Sequence, residues 1–319
     1  MVSVEVVIPC YNYARYLRQS VESALNQESV AVRVLIIDDC STDASAEVGE
    51  ALAQQYDAVH FRRHEANMGH IATYNEGIAE LNGDYFLLLS ADDYLLPGAL
   101  LRAVSVMEEH LQVGFVFGRA LLRGDNAPPE RLTPLPKRLT TDGSAVLSGR
   151  RFVEYSRARN IVPTPSAVVR TNLQLAVGGY RQDLPHTGDM EMWLRLAARA
   201  DVGYLDEDQA VYRMHGTNMS KAYDGLADLK ARAKALDAFF ADGVSRIDPT
   251  GALQRECLHH FAGEAFRHAR MALNRGELEA ADRFGDYGLS VSPTARRSID
   301  WLKFSLKRTL RRMSPIAGH

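Results

Sequence analysis

Acidic residues at two places along the chain have the type and spacing to do chemistry: Asp38-Asp39 and Asp92-Asp93. Adjacent carboxylates repel, so a desolvated pair needs a compensating partner. A hard divalent cation suits such a pair, because it takes oxygen ligands and keeps water and substrate phosphates in its shell. Both pairs follow an oily run, "VLIIDDCS" at 34–41 and "LLLSADDY" at 87–94. One such pair alone is also good turn or helix-cap chemistry. Two pairs, each closing a run fit for a buried strand, shift the balance toward a site. A third run closes at Pro9-Cys10-Tyr11-Asn12. Three acids and an aromatic gathered there could hold a base, a ribose and a metal-bound diphosphate. Taken alone, Tyr11, Asn67, Gly69 and Asn75 read as packing and turn residues, and His215 as a loop histidine or a ligand.

These residues need a scaffold that brings the run ends together. Short β-branched runs at 4–9, 32–37, 58–63, 84–89 and 113–118 read as strands. Between them, Leu17, Val21, Ala24 and Leu25 recur on one helical face, Ser41 or Thr42 is placed to cap the next helix, and Pro97 suits a first helical turn. Strands alternating with helices imply βαβ units and a mostly parallel sheet, with ligands beyond the carboxyl ends of its strands. The prolines and glycines of 123–148 read as an irregular connection. "PSAVVR" and "QAVYRMH" then read as strands and "GDMEMWLRLAARA" as a helix. From about residue 222 the pattern is helical throughout, with a helical hairpin turning at Asn274-Arg275-Gly276.

Composition narrows the classes. The 319 residues carry a net charge of −3, which offers no global field for nucleic acid. Three cysteines without a CxxC pair give neither a zinc site nor a disulfide framework and suit a reducing compartment. The first residues lack the basic and apolar regions of a signal peptide, and no run reaches about 18 uncharged apolar residues, so the expectation is a cytoplasmic protein. GxGxxG and Walker A patterns are absent from the sequence, which weakens dinucleotide and P-loop readings.

Five ordered segments, "VVIPCYNYARYLRQSVESALNQ", "VLIIDDCSTDAS", "NMGHIATYNEGI", "LLSADDYLLPGAL" and "GDMEMWLRL", resemble the family 2 glycosyltransferases over roughly residues 2–220. The resemblance implies a GT-A fold: a Rossmann-like, mostly parallel sheet with helices on both faces, here followed by an all-helical C-terminal region. It divides the chain into a transferase domain at 1–222, with a nucleotide-binding half at about 1–120 and an acceptor half at about 149–222, and a helical region at 223–319. It implies inverting transfer of a sugar from a nucleotide-diphosphate donor, a UDP-sugar foremost, to a saccharide or lipid-linked acceptor in polysaccharide or glycan synthesis. Asp39 then corresponds to the reader of a uracil-type base. Pro9, Tyr11 and Asn12 line the nucleotide pocket, and Asn67, Gly69 and Asn75 join that set. Asp92 contacts ribose and metal, and Asp93 is the ligand for Mn2+ or Mg2+. Ser90 stands where many members carry a further acid, so the cation rests on the remaining pair. Gly188-Asp189 matches a motif whose Asp is the catalytic base, with Gly replacing Glu; a bare helix cap is the alternative. His215 is a candidate third ligand or diphosphate contact. Glu191, His186 and Trp193 are acceptor-side candidates, although Trp193 also suits plain helix packing. A nucleotidyltransferase and a non-catalytic sugar-nucleotide or partner-binding module remain alternatives. The first would present a Gly-rich basic loop after strand one, and the second would lose the base.

The tail "RRSIDWLKFSLKRTLRRM", 296–313, recurs as an apolar stripe of Ile299, Leu302, Leu306, Leu310 and Met313, with seven cations against Asp300 alone. Two readings stand: a closing helix with its charges in water, or an interfacial helix making peripheral contact with an anionic membrane at its cytoplasmic face.

Overall fold

The computed structural model describes residues 1–124, 128–135, 140–216, 225–242, 244 and 246–313. These form two compact units: residues 1–152 with 160–219, and residues 153–159 with 220–319.

The first unit is built on one twisted sheet. In chain order its strands and helices begin β1 (Ser3–Cys10), α1 (Ala14–Leu25), β2 (Ala31–Asp38), α2 (Ser45–Gln55), β3 (Val59–Arg63), α3 (His70–Ala79) and β4 (Tyr85–Leu88). They continue β5 (Tyr94–Leu95), α4 (Ala99–Glu109), β6 (Val113–Gly124), β7 (Glu130–Leu132), β8 (Ser144–Leu147) and α5 (Gly149–Ser156), the last running on into 153–159. After α5 come β9 (Val168–Arg170), α6 (Thr171–Val177), α7 (Gly188–Ala197) and β10 (Asp201–Met214). Strands β3, β2, β1 and β4 lie side by side and parallel, as expected of βαβ units. Beyond them β9 runs antiparallel between β4 and β6, and β6 pairs parallel with β10.

Burial explains why these runs are strands. Val4, Val6, Ile8, Val34, Ile36, Leu87 and Leu89 are fully enclosed, packed with Leu17, Val21 and Ala24 of α1 and with Leu100, Ala103, Val104 and Met107 of α4. The irregular connection is more ordered than its prolines suggest: β6 runs on to Gly124, β7 pairs with β6, and β8 pairs with β10. Residues 125–127 and 136–139 of that connection lie outside the described residues, as do 217–220 of the segment following His215.

Helix capping also departs from the reading of Ser41 or Thr42. The side chain of Asp43 accepts the Ser45 N–H at 2.9 Å and the Ala14 N–H at 3.1 Å, so one carboxylate serves the starts of both α2 and α1. Ser41 instead accepts the Asn12 N–H at 2.9 Å. Pro97 precedes the first turn of α4 rather than entering it, and Gly98 holds the left-handed lead-in position. The second unit is helical in its described residues: α8 (Gly225–Ala241), α9 (Ala252–Asn274), α10 (Leu278–Val291) and α11 (Ile299–Met313). The α9–α10 hairpin turns at 274–276, with Gly276 in the left-handed region.

Candidate functional site

The carboxyl ends of β1, β2 and β4 lie along one edge because these strands are parallel and in register, Cys10 opposite Asp38 and Val7 opposite Leu88. Asn12 and Cys40, just past the ends of β1 and β2, both hold positive φ near 60°, turning the chain sharply at this edge.

Asp39 is buried, and its oxygens are already well used. Oδ1 accepts the Met68 N–H at 2.6 Å and lies 2.8 Å from His64 Nδ1; Oδ2 accepts the Gly69 N–H at 2.9 Å. Asn67 Nδ2 donates to the Asp39 carbonyl at 3.2 Å. Asn67, Gly69 and Asp39 thus form one cradle. His64, which the sequence reading passed over, spans Asp39 and Glu76, with Nε2 2.8 Å from Glu76 Oε2. Burial disfavours its protonation, but the bonds to Asp39 and Glu76 outweigh this and hold the imidazole above its ordinary value. Nothing in "RRHEAN" marks that role, since it exists only once β3 lies beside β2.

Two named nucleotide-site residues serve the scaffold. Asn12 Oδ1 accepts the Thr42 N–H at 2.8 Å, binding the first strand end to the second. Asn75 pairs with the backbone of Tyr180, accepting its N–H at 2.6 Å and donating to its carbonyl at 2.9 Å. A Cβ on Gly179 would lie 2.4 Å from Asn75 Oδ1, so that glycine permits the pairing. Pro9 is half-buried in register with Ile37, and the Tyr11 ring is 45% exposed at the edge. Burial pushes the neighbouring Cys10 thiol up to about 12, which leaves it inert as a nucleophile.

Asp92 and Asp93 sit in a tight turn closed by the Asp93 N–H donating to the Ser90 carbonyl at 3.0 Å. The strand β5 follows at once and pairs antiparallel with β10, Tyr94 opposite Val211. That pairing brings the end of β10 onto the acid pair. The Arg213 N–H donates to Asp93 Oδ1 at 2.9 Å, its guanidinium donates to the Asp92 carbonyl, and the guanidinium carbon lies 4.6 Å from the Tyr16 ring and 4.8 Å from Tyr94. His215 Nε2 lies 2.8 Å from Asp92 Oδ2, and its ring stacks on Tyr16 and meets the edge of Tyr13. This nitrogen, on the residue named above as a candidate ligand, faces the Asp92 carboxylate. Both carboxylates are buried. Burial, then the adjacent Asp92, push the Asp93 carboxyl well above the usual range.

The remaining lone pairs fit a hard cation. Among the described residues Asp92 Oδ1 is buried with no hydrogen-bond partner, an orphan of the kind a bound ion satisfies. Among the described residues, no group of three or more His, Cys, Asp or Glu is arranged to hold a metal. A cation on this pair would draw its other ligands from water and substrate phosphates.

Asp189 stands half-buried in the first turn of α7, its Oδ2 accepting the Thr164 hydroxyl at 2.8 Å. Loss of solvent raises its carboxyl above the ordinary range, partly offset by Thr164 and by the nearby His70. The adjoining wall is aromatic: His70 meets Tyr74 edge-on at 5.4 Å, and Tyr74 meets Tyr180 at 5.4 Å. Burial raises the Tyr74 hydroxyl first, and Asp189 and Asp92 then raise it further. The charges of both acids therefore reach one phenol. His186 is half-buried and helps hold down the Asp189 carboxyl. The other two acceptor-side candidates face inward. Glu191 is fully buried and ion-paired with Arg195 at 2.7 Å, and Trp193 stacks on Phe115 in the core.

The sequence matches the family model described as Glycosyl transferase family 2 over residues 5–164. An uncharacterized glycosyltransferase of Nostoc sp. is 30% identical over 244 residues, covering 73% of this chain and 71% of that one. The putative teichuronic acid biosynthesis glycosyltransferase TuaG of Bacillus subtilis is 29% identical, covering 68% and 81%. Of other curated relatives the matched share is smaller, 64% of the Escherichia coli glycosyltransferase YibD and 35% of one from Rickettsia felis. In structure, S. aureus TarS 1-349 in complex with UDP-GlcNAc aligns over 93% of this chain and 92% of that one, with a TM-score of 0.60 and 17% identity. The mannosyltransferase PcManGT from Pyrobaculum calidifontis, in complex with GDP-Man and Mn2+, aligns over 98% and 87%, at 0.54 and 14%. At such identities the two structures speak for the fold, which is of the GT-A type. With parallel strands delivering their acids to one edge and the family model spanning them, the chain belongs to glycosyl transferase family 2.

Proposed function

We propose that the protein transfers a sugar from a nucleoside-diphosphate donor, a UDP-sugar foremost, to a hydroxyl of a saccharide or lipid-linked acceptor with inversion at the anomeric carbon. The observation that carries this reading is the strand edge that sets buried Asp39 and the buried Asp92-Asp93 pair beyond the carboxyl ends of the parallel β2 and β4. Asp39 supports the uracil preference: a carboxylate offers about four acceptor positions, and Met68, His64 and Gly69 occupy three. The position left on Oδ2 suits one ring N–H. TarS was crystallised with UDP-GlcNAc, in keeping with such a donor. The likeness to TuaG, a putative teichuronic acid biosynthesis glycosyltransferase, points toward a polymer-building acceptor.

In this reading Asp189 takes the proton from the acceptor hydroxyl as its oxygen attacks the anomeric carbon and the nucleoside diphosphate departs. Its raised carboxyl value makes it a stronger base than a solvated Asp, so turnover rises as pH climbs through that value. Asp92 and Asp93 would hold Mn2+ or Mg2+, which when bound supplies Lewis-acid stabilisation of the leaving diphosphate. Arg213 and His215 keep that acid pair oriented.

The test is a thermal-shift panel of UDP- and GDP-sugars with Mn2+ or Mg2+, run on the parent and on Asp93→Ala. A ligand at 100 times its dissociation constant stabilises the native state by about 2.7 kcal/mol. We expect a metal-dependent shift with one donor class, lost in Asp93→Ala. An equal shift in the variant would remove Asp93 from the site.

A further inference from the structure

Helix α11 is apolar on two opposite sides, and only one of them is used by the fold. Phe304 is 1% exposed and lies parallel to Phe266 of α9 at 6.4 Å, with Trp301 closing on Phe266 at 5.2 Å. A Cβ at Gly285 of α10 would fall 2.4 Å from the Phe304 ring, so the helices are shaped to receive this side chain. Ile299, Leu302, Leu306, Leu310 and Met313 are not part of that packing and are each 57–75% exposed. At roughly 100° per residue these five fall within an arc of roughly 80°, roughly opposite Phe304. The helical unit closes its core without them.

The charge around the stripe identifies what would cover it. Residues 296–313 carry seven cations and one acid in a chain whose net charge is −3. That acid, Asp300, is already engaged by Arg267 at 3.4 Å and Arg270 at 3.0 Å of α9. Asp282 of α10 engages Arg308 and Arg312, at 2.6 and 2.7 Å. Lys303 stands exposed at one edge of the stripe, half-buried Lys307 beyond it donates to Asn274 Oδ1 of α9, and Arg296 and Arg297 stand exposed just before the helix. A second copy seated on this face would set the same cations against one another, because a two-fold contact is self-complementary. An anionic lipid surface meets both demands. The apolar arc enters the headgroup–acyl boundary, and the long basic side chains reach out to the phosphates. No helix among the described residues is long and apolar enough to cross a bilayer, so such a helix lies in the plane of the surface.

We propose that α11 docks this protein on an anionic phospholipid surface through Ile299, Leu302, Leu306, Leu310 and Met313, with the flanking lysines and arginines on lipid phosphates. The inference goes beyond the sugar-transfer reading and is tested without donor or acceptor. Flotation of the full chain with vesicles of phosphatidylcholine and about 30% phosphatidylglycerol should show binding that pure phosphatidylcholine does not support and that 0.5 M salt weakens, salt screening being strong at that strength. Lys303→Gln with Lys307→Gln should weaken binding about fivefold for each charge removed. Leu306→Gln with Leu310→Gln, at positions already in water, should keep the parent melting temperature and abolish flotation. The proposal is overturned if the full chain does not float with the anionic vesicles, or if the leucine variant floats as well as the parent. It is also overturned if sedimentation reveals a dimer that the leucine variant dissolves, since a second copy would then own the stripe.

Discussion

Asp39 and Asp93 are carboxylates at one strand edge and Asp189 is a carboxylate on α7, and their surroundings differ. Asp39 is held by two backbone N–H groups and His64, Asp93 is pushed up by burial beside Asp92, and Asp189 is raised by desolvation against one hydroxyl partner. His64 gives this scale a measurable pH dependence. Its folded-state value is raised above the ordinary 6.5, so its contribution to stability is complete below that ordinary value and is lost as pH rises through the raised one. Glu76 is held below its ordinary value, because the bonds from Arg62 and His64 outweigh its burial. Its share is present above that ordinary value and is lost only as the solution is acidified through the lowered one. The melting-temperature gap between the parent and His64→Gln should therefore be widest near pH 6 and narrow toward pH 9. A gap independent of pH would mean that His64 acts by shape alone. Asp39 and Asp93 were legible in the sequence because each follows a run of buried residues, and Asp189 through the motif in which it stands. His64 and Arg213 were not, because their partners lie on other strands and helices, and Asp43 was not because Ser41 and Thr42 beside it are equally good capping types.

Elements were legible wherever an apolar period lasted long enough. The runs that became β1 to β4 and β6, the amphipathic α1, and the α9–α10 hairpin all announce themselves in this way. The two-residue β5, the three-residue β7 and the antiparallel insertion of β9 could not be read, since a strand of that length carries no period and orientation is not a local property. Yet β5 is what brings Arg213 and His215 to the acid pair. Helix α11 was legible as a stripe, but the packing of Trp301 and Phe304 on its other side was not. This makes a contrast that denaturant melts can check. Phe304→Ala should destabilise the helical unit by about 3–5 kcal/mol, the usual cost of an enclosed Phe. Leu306→Ala, in water, should stay within about 0.5 kcal/mol of the parent. Similar losses from both would mean that the stripe is packed in solution.

At the scale of the whole molecule, the proposed nucleotide edge is built from β1, β2 and β4, and the proposed base on α7 arrives about a hundred residues later in the chain. Helix α3 meets the approach to α7, where its Asn75 grips the Tyr180 backbone and its Tyr74 meets the Tyr180 ring. The central claim is that Asp189 removes the acceptor's proton while the strand-edge acids hold the donor, so binding and turnover should separate when Asp189 alone is changed. Asp189→Asn keeps the shape and can still bond Thr164, but it cannot take up a proton near neutral pH. The deciding measurement is turnover beside donor affinity in this variant, using the donor that the thermal-shift panel selects. The account predicts a loss of at least about a hundredfold in kcat with the donor dissociation constant nearly unchanged; near-normal turnover, or a parallel loss of donor binding, would contradict it.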